Sequence, residues 1–592
     1  MIAYIFHRNF FLRKLSTIAL PITLILIQAG HAVAKPLLSY EVSNVKFAYG
    51  GLGNDLPGFG ILENVELELA GEIRTVAELS EGLDKSLKLS LRELQEIAQL
   101  PVQYLKSLGY EGLIAFPDPN QIDPITGKDL RASSNLSIRI VVWVSRVESV
   151  EFLNNGINDQ VFEKLSKLGE KSFASEKGQG KPLMNAQLRY WKRYGKSYSR
   201  SAVTNLTPGE EPGQVIPVVK LGLFHKHGGS VYASNAGTET TGKWLVGGTY
   251  YSNQISERDD DLQLSYISSD TREREALNIK YSLPLLAPEI LSLDVQAGYS
   301  SYDASSFALT RIDFEGETRS LDLALRWNPL EWEHENYQFG FEFGLRGEKI
   351  EAENSLISGR ADADMLTPRM ALRLDTIGTY IRTMTKIEVR RNVLNIPELD
   401  RSLLGGVGVT DRSTRLKINY LESIKFGKWL RDHLNLDLPS YWDRHLIVTK
   451  VSADLGLEDE RHLPQHQFIS GGTGSVRGYP ESPIAGDDGY SMSVEYRIPF
   501  AVGDAGPAFG RVSSTLIPFL DWAETFVTDP LSYESDKSIL GSGVGLEMKF
   551  SKGLQARLDF AKPLREIKNG GTIVDGTRSS DNRVHALIVW EF

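Results

Sequence analysis

The C-terminal part of the chain, from about residue 221 to residue 592, alternates between apolar and polar residues. In each alternating segment, one face carries aliphatic and aromatic side chains, as in Leu321–Trp327, Tyr337–Leu345, Met492–Phe500, Leu554–Phe560 and Val584–Phe592. Because successive side chains of a β-strand point to opposite faces, this period of two residues predicts strands. Strands of about ten residues with one apolar and one polar face are typical of a transmembrane β-barrel with a hydrated lumen.

The number of these segments predicts a membrane β-barrel of about 16 antiparallel strands over residues 222–592, and an even number is expected for this class. Aromatic residues at the predicted strand ends are typical of a membrane interface; they are Trp327, Tyr337, Trp522 and Trp590. A soluble β-sandwich or propeller is the alternative. Its strands would be shorter, and the sequence has no repeat period of ~40 residues, so the pattern favours the barrel.

The region before residue 221 mixes helix and strand patterns. Apolar residues recur at helical spacing over Ser90–Leu108, which predicts an amphipathic helix between strands. A similar order of elements follows directly, so we expect an α+β fold with two modules, residues 37–146 and 147–221. The remaining predicted elements are strands Tyr40–Tyr49, Gly112–Phe116, Leu136–Val144 and Val147–Leu153, helices Asp159–Leu168 and Leu183–Tyr194, and strands Ser201–Leu206 and Gly213–Leu221.

The first residues have the pattern of an export signal. A basic start precedes the apolar run Leu15–Gln28, and the small residues Ala32-Val33-Ala34 follow it, as signal peptidase requires. The alternative is a retained anchor, but the run is short for a membrane span of ~20 residues. We expect residues 1–34 to be a cleaved signal peptide and the mature chain to begin near Lys35.

Composition narrows the chemistry further. The chain has no cysteine, which excludes thiol catalysis and cysteine-based metal sites, and its net charge of −11 argues against nucleic-acid binding. Gly472–Gly478 superficially resembles a phosphate-binding loop, but the lysine and the spacing are wrong. Gly541–Gly545 lies in a strand pattern, where we expect glycines to relieve crowding on a curved barrel wall. The sequence thus predicts no catalytic residue, no metal site and no cofactor, and we expect a protein that is not an enzyme.

One cluster of residues stands out from this background. The tetrad Val476-Arg477-Gly478-Tyr479 lies in a glycine-rich stretch between two strand regions. In the strand that contains Ile517–Trp522, Leu520 and Trp522 share the lipid-facing parity, so Phe519 and Asp521 are predicted to face the lumen. An arginine on a long loop could pair with this aspartate. Two solvated surface charges, which are worth little as a pair, are the alternative interpretation.

These residues carry a family resemblance. Val476-Arg477-Gly478-Tyr479 matches the loop tetrad of the superfamily of outer-membrane assembly and secretion barrels, and Phe519–Ala523 resembles its motif with the partner aspartate. Within this superfamily the chain resembles the two-partner secretion transporters of the ShlB/FhaC/HecB family, which are relatives of BamA and TamA. The supporting stretches are Asn235–Gly242 at the start of the barrel, Gly543–Leu564 at the penultimate hairpin, and the terminal Phe592, which matches the family's barrel-assembly signal.

The resemblance implies a function and a location. The N-terminal modules would be POTRA domains in the periplasm that recognise an unfolded partner protein, and the barrel in the outer membrane would export it. The loop would fold into the lumen, with Arg477 against Asp521. Other expected partners are outer-membrane lipid and, during biogenesis, the barrel-assembly machinery, but no nucleic acid. The sequence departs from the family in having no clear plug helix before the first module and in the length of Gly50–Thr75.

Two other functions remain as alternatives. The first is an outer-membrane assembly or insertion factor of the BamA/TamA type, although two modules fit an exporter better than the longer arrays of the main assembly factors. The second is a passive porin or surface adhesin, against which the POTRA-like modules argue.

Overall fold

The computed structural model describes most of the chain after residue 38. It describes residues 39–592 except 51–55, 125, 148, 174–180, 186–187, 189–190, 192–199, 211–212, 224, 239–240, 257, 259, 287–289, 305–313, 330–336, 355–358, 406–407, 435–438, 533, 570–571 and 575–576. The predicted signal peptide, residues 1–34, and the predicted start at Lys35 lie outside the described residues. The chain divides into two compact units. Residues up to Leu108 and Leu113–Trp143 form the first, and Gly109–Gly112 and Val144–Phe592 form the second.

The first unit is an α+β structure with three small sheets. The sheets have the strand orders β2-β7-β6, β1-β5 and β3-β4. Buried residues of α2, including Leu94 and Ile97, share one core with Ile138 and Ile140 of β7. The elements are β1 (Ser39–Val42), β2 (Asn44–Tyr49), β3 (Glu66–Leu69), β4 (Glu72–Thr75), α1 (Val76–Glu81), β5 (Leu87–Ser90), α2 (Leu91–Ser107), β6 (Leu113–Pro117) and β7 (Ser137–Val144).

Helix α2 begins and ends where local chemistry predicts. The Ser90 side chain accepts a hydrogen bond from the Glu93 N–H, and the Glu93 carboxylate accepts one from the Ser90 N–H, which together make a capping box. At the other end Gly109 has φ +89°, a conformation that glycine adopts without strain. The predicted helix Ser90–Leu108 is therefore confirmed.

The single strand predicted over Tyr40–Tyr49 is wrong. The chain forms two strands that pair with different neighbours, β1 with β5 and β2 with β7. The two strands are separated at Ser43, whose N–H donates to Leu136 O and whose carbonyl oxygen accepts from Leu83 N. In a single strand every second side chain would be buried. Val42 and Val45 are both buried although they lie three residues apart, so the alternation is interrupted at Ser43. The long segment Gly50–Thr75 contributes the hairpin of β3 and β4, which the sequence pattern did not predict.

The second unit begins with a smaller α+β region. Its sheet has the order β10-β8-β12-β11, with β9 also paired to β12. The strand predicted over Val147–Leu153 is divided in two, because β8 and β9 pair with different parts of β12. The predicted helix Leu183–Tyr194 falls largely outside the described residues. The elements are β8 (Arg146–Val147), β9 (Glu151–Asn155), α3 (Asp159–Phe173), β10 (Lys181–Pro182), β11 (Arg200–Pro208) and β12 (Gln214–Leu223).

The rest of the second unit is a closed antiparallel barrel. Sixteen strands form it, in the order β13 to β23, β26 to β29 and β32, which confirms the predicted fold class and strand number. The elements are β13 (His227–Ser234), β14 (Leu245–Asn253), β15 (Asp261–Ser269), β16 (Arg274–Leu286), β17 (Leu291–Ala304), β18 (Phe314–Trp327), β19 (Tyr337–Asn354), β20 (Gly359–Ile377), β21 (Ile381–Arg391), α4 (Glu398–Gly405), β22 (Thr414–Ile424), α5 (Phe426–Leu434), β23 (Leu446–Gly456), β24 (Phe468–Ser470), β25 (Ile484–Gly486), β26 (Asp488–Asp504), β27 (Arg511–Phe526), β28 (Lys537–Phe550), β29 (Leu554–Pro563), β30 (Lys568–Asn569), β31 (Thr572–Ile573) and β32 (Arg583–Glu591).

The two faces of the barrel differ as the alternation predicts. On the outer face of β18, Leu321, Leu323 and Leu325 are exposed, as side chains that face lipid must be. On the inner face, Arg369 pairs with Asp322 at 2.7 Å and with Glu342 at 2.9 Å. Charged residues therefore line the lumen. Within the described part of the chain, no helix is long and apolar enough to cross a membrane.

The first and last strands meet at a short seam. Strands β13 and β32 are in register over five residue pairs, from Ser230↔Glu591 to Ser234↔Leu587. Beyond them, Gly229 and Phe592 exchange two backbone hydrogen bonds of 2.9 Å. We call this end of the barrel, where β13 begins and β32 ends, the terminal end, and the opposite end the far end. Trp327 and Trp590 lie near the terminal end, whereas Trp522 lies towards the far end and inside β27.

Deleting Phe592 should reduce barrel assembly more than it reduces the stability of assembled barrels. The deletion removes both hydrogen bonds to Gly229 and an exposed ring that packs on Trp590 at 5.9 Å, but no buried group. Heat-modifiable electrophoretic mobility measures the assembled fraction, and thermal unfolding of that fraction measures stability. Phe592→Tyr, which keeps the ring and the backbone, serves as the control and should assemble normally. Normal levels of barrel in the deletion variant would contradict this expectation.

Candidate functional site

The loop between β23 and β26, residues 457–487, folds back into the barrel, and we call it the lumen loop. Its strands β24 and β25 pair as a hairpin, with Phe468 opposite Gly486 and Ser470 opposite Ile484. The tip of the hairpin contains the tetrad Val476–Tyr479 and lines the lumen cavity, which has a volume of about 970 Å³. A loop that starts at the far end therefore places its tip against the inner wall.

Arg477 makes the central contact between the loop and the wall. Its Nε and Nη2 donate to the two carboxylate oxygens of Asp521 at 2.7 and 2.8 Å, and its backbone N–H donates to Asp521 at 3.0 Å. Nη1 donates to Glu495 at 2.9 Å. The guanidinium also lies 3.5 Å from the centroid of the Phe519 ring. This combination of a planar fork and a stacked face suits arginine and not lysine.

Arg477 belongs to a larger group of buried and half-buried charges. Glu495 also accepts hydrogen bonds from Arg557 at 2.8 Å and from Arg497 at 3.0 Å, while Arg557 pairs with Asp559 at 2.9 Å. We call these residues the lumen charge cluster: Arg477, Arg497, Arg557, Glu495, Asp521 and Asp559. Three cations thus face three anions. Because Asp521 is 0 % exposed, removing Arg477 would leave a buried charge unpaired, which costs about 3–5 kcal/mol.

The rest of the tetrad fits the wall by shape and by hydrogen bonds. Gly478 has φ +95°, and a Cβ there would lie 2.8 Å from the backbone of Lys562, so the position requires glycine. Its N–H donates to His585 Nε2 at 3.1 Å. The buried Tyr479 hydroxyl accepts from Leu540 N at 3.2 Å and donates to Arg565 O at 2.6 Å. Burial raises the pKa of Tyr479, so this hydroxyl keeps its proton.

Glycines of β28 make room for their neighbours, and Gly541 makes room for the lumen loop. A Cβ at Gly541 would lie 2.0 Å from the carbonyl oxygen of Arg477, and one at Gly543 would lie 2.7 Å from the Phe519 ring. The expectation that Gly541–Gly545 relieve crowding on a curved wall holds at Gly543 and Gly545, where a Cβ would lie 2.1 Å from Phe560 O and from Asp559 Oδ1 of the neighbouring strand, but it needs correction at Gly541. At Gly541 the crowding comes from the lumen loop itself, which lies where a side chain would otherwise be.

A second set of contacts joins three loops at the far end. Arg461 of the lumen loop pairs with Glu534 at 2.6 Å, and its carbonyl accepts from Thr410 N at 2.9 Å. The segment that carries Thr410 also carries α4, whose Leu404 packs against the inner residues Ala361 and Ala363 of β20. These contacts join the lumen loop to its neighbouring loops at the far end. The neighbouring His462 is neutral at pH 7, because burial and Arg415 lower its pKa to about 4.

The structure brings together six of the residues singled out from the sequence, namely Val476, Arg477, Gly478, Tyr479, Phe519 and Asp521. Phe592 lies apart from them, at the seam. Sequence patterns did not single out Glu495, Arg557, Asp559 and His585. Inward parity was visible for Glu495, Arg557 and Asp559, but parity does not give the register between strands, which decides which charges meet.

A closed barrel of 16 strands with a loop bound inside its lumen is the architecture of outer-membrane transporters and insertases. Residues 261–576 match the Omp85 superfamily domain, and because this match covers more than half of the chain, the chain belongs to the Omp85 superfamily and resides in the outer membrane.

Two solved structures are similar in fold over nearly the whole chain. CdiB from Escherichia coli matches 96% of this chain and 93% of that chain with a TM-score of 0.59 and 15% identity. CdiB from Acinetobacter baumannii matches 96% of this chain and 92% of that chain with a TM-score of 0.55 and 14% identity. At such identities the similarity is one of fold. No curated protein sequence matches the chain.

Gly541→Ala should displace the lumen loop while the barrel still closes. The new methyl group would overlap the Arg477 carbonyl, and overpacking of this kind costs about 1–3 kcal/mol, which corresponds to roughly tenfold or more in the population of a displaced loop. The chain has no cysteine, so Gly474→Cys at the exposed tip gives a single labelling site. Labelling by a bulky impermeant maleimide from the far end should become about tenfold faster.

Gly347→Ala is the matched control for this experiment. It adds the same methyl group to a barrel strand, but the nearest atom to that methyl group is 3.9 Å away. The control should label as slowly as the parent protein. Equal labelling rates in the Gly541→Ala variant and the control would show that the loop does not occupy this groove.

Proposed function

We propose that this protein exports an unfolded partner protein across the outer membrane by two-partner secretion. In this proposal residues 37–146 and 147–221 are POTRA domains in the periplasm, and residues 222–592 are the export barrel. The terminal end then faces the periplasm and the far end faces the outside. The observation that carries the proposal is the lumen loop, which is held inside a charged lumen by the lumen charge cluster. Such a loop can keep the lumen closed at rest and admit a chain when it moves.

The lining of the lumen supports passage of an extended chain. Opposite the loop, Arg369 and Lys386 alternate with Asp322, Glu342 and Glu388 in close ion pairs. Paired charges of both signs on this wall hold water better than apolar side chains do, so they would retain an unfolded segment only weakly. The cavity of about 970 Å³ has no room for a folded domain beside the loop. The client would therefore cross unfolded.

The first unit has a surface that suits recognition of an unfolded chain. Strand β6 is an edge of its sheet, because it pairs with β7 on one side only. Beside it, α2 and β6 border a groove of about 580 Å³, whose lining includes Leu91, Ala98 and Phe116. An edge strand next to an apolar groove can bind an extended peptide by adding it as a further strand.

Insertion of other barrel proteins, as by BamA or TamA, is the second candidate function, and the seam favours it. The five residue pairs between β13 and β32 are fewer than the eight or more found at every other described junction of the barrel. A weak seam could open to template a new strand. The two functions differ in what fails when the gene is deleted: secretion of one partner protein, or the amounts of many barrel proteins in the membrane.

Arg477→Ala and Asp521→Ala should each reduce secretion of the partner protein by about tenfold or more, while the barrel still assembles. Each change leaves a buried charge unpaired, so removal of both partners should be little worse than removal of one. The amount of partner in the medium is the readout. Arg360→Ala, at an exposed arginine that pairs with Glu351, is the control and should secrete normally. Additive losses in the double variant would argue against the pairing.

Ile114→Lys should weaken binding of the unfolded client to the full-length protein by about fivefold or more, because a charge on an edge strand opposes strand addition. Ile73→Lys is the matched control, since Ile114 and Ile73 are both exposed isoleucines of the first unit, at 60% and 71%. Crosslinking yield with the N-terminal client segment is the measurement. An equal loss of crosslinking yield in both variants would show that the client does not bind at β6.

A further inference from the structure

The connection between β22 and β23 is unlike the others at the terminal end. It runs over residues 425–445, whereas the next longest connection at that end covers only residues 328–336. It contains α5 (Phe426–Leu434) and a 3-10 helix (Ser440–Arg444). The two are in direct contact, because a Cβ at Gly427 would lie 1.8 Å from the carbonyl oxygen of Trp442. The described parts of the connection, residues 425–434 and 439–445, are therefore packed against each other.

This element lies against the outer wall of the barrel. The ring of Phe426 meets the ring of Tyr496 edge-on at 6.0 Å, and His445 Nδ1 shares a hydrogen bond of 2.8 Å with the Tyr496 hydroxyl. The neighbours of Tyr496 in β26, Glu495 and Arg497, belong to the lumen charge cluster, so strand alternation points Tyr496 outwards. The element thus occupies the lipid side of the barrel at the terminal end.

Its side chains form an aromatic group with cations around it. Trp429 stacks on Phe426 at 6.3 Å, Trp442 stacks on His445 at 4.6 Å, and Tyr441 is 53% exposed. Such rings favour the boundary between lipid tails and headgroups. The basic residues of the element are Lys425, Lys428, Arg431 and Arg444.

Three of these cations remain available to a ligand. Arg431 pairs with Asp443 at 2.8 Å. Lys428 Nζ lies 5.9 Å over the Tyr380 ring, and Lys425 and Arg444 are exposed. Within the described residues, Lys425, Lys428 and Arg444 form no ion pair. Basic side chains beside interfacial aromatic rings carry the charge that anionic lipid phosphates attract, and they lie at the same depth in the membrane as those phosphates.

We propose that residues 425–434 and 439–445 form an interfacial anchor that binds the anionic phospholipid headgroups of the leaflet at the terminal end. The aromatic side chains insert at the headgroup boundary, and Lys425, Lys428 and Arg444 bind lipid phosphate. The anchor fixes the height and tilt of the barrel beside the strands that carry the lumen charge cluster. The proposal does not depend on export, since it requires only a barrel in a membrane.

The test compares lipid binding by full-length protein variants. Native mass spectrometry of the protein in detergent measures binding of phosphatidylglycerol and of phosphatidylcholine. The triple variant Lys425→Gln, Lys428→Gln and Arg444→Gln should lose about tenfold or more in affinity for phosphatidylglycerol and little for phosphatidylcholine. The control is a second triple variant at exposed far-end positions, Arg272→Gln, Arg412→Gln and Arg578→Gln, which has the same net charge as the first triple variant. It should bind phosphatidylglycerol as tightly as the parent protein does. Equal affinities for phosphatidylglycerol in the parent and both triple variants would overturn the proposal.

A second measurement separates lipid from a soluble partner. Tyr441→Cys gives a single thiol at the exposed edge of the anchor. In vesicles of phosphatidylcholine and phosphatidylglycerol, this thiol should react slowly with an impermeant maleimide and become fully reactive in detergent. Rapid reaction in vesicles would show that the surface faces water and is free for a protein partner, which would overturn the lipid assignment. Heat-modifiable mobility of every variant verifies that the barrel has closed.

Discussion

The position of the lumen loop depends on one buried guanidinium. Arg477 is 4% exposed, and among its partners Asp521 and Glu495 are 0% and 3% exposed, so neither sign of charge can return to water without moving the loop. Its stacking on Phe519 adds about 2 kcal/mol, compared with the ~3–5 kcal/mol that is lost when one member of a buried pair is left alone. Electrostatic pairing, with shape complementarity around it, therefore holds the loop.

Several other features of the barrel follow from this contact. The loop backbone can approach β28 only because Gly541 has no side chain, and the chain can turn beside Lys562 only because Gly478 has a positive φ. The cluster draws its members from β26, β27 and β29, so it also joins these strands across the inside of the wall. At the far end Arg461 joins the same loop to two others. A loop held at its tip and near its base moves only if both sets of contacts are released.

The sequence predicted the structure best where the pattern of apolar and polar residues has a single period. Alternation predicted the barrel and its sixteen strands, because each strand must present one face to lipid and one to water. It failed in the N-terminal part, where Tyr40–Tyr49 changes sheets at Ser43 and Val147–Leu153 is divided, since short strands carry too few residues to reveal a break. The alternation of side chains along β27 correctly predicted that Phe519 and Asp521 face the lumen. It could not show that Glu495 and Arg557 meet there, because their encounter depends on the register at the three junctions between β26 and β29.

Amide hydrogen exchange of the membrane-reconstituted protein tests this account of the loop most directly. The N–H groups of Arg477 and Gly478 donate hydrogen bonds to Asp521 and His585 of the inner wall. Gly474 lies at the open tip of the loop, where an added methyl group would have no neighbour within 4 Å. The account predicts that the N–H groups of Arg477 and Gly478 exchange as slowly as those of the barrel strands, while the N–H of Gly474 exchanges quickly. Exchange of the Arg477 and Gly478 amides at the rate of an unprotected peptide would contradict it, because a loop held by buried charges cannot leave those amides open to water.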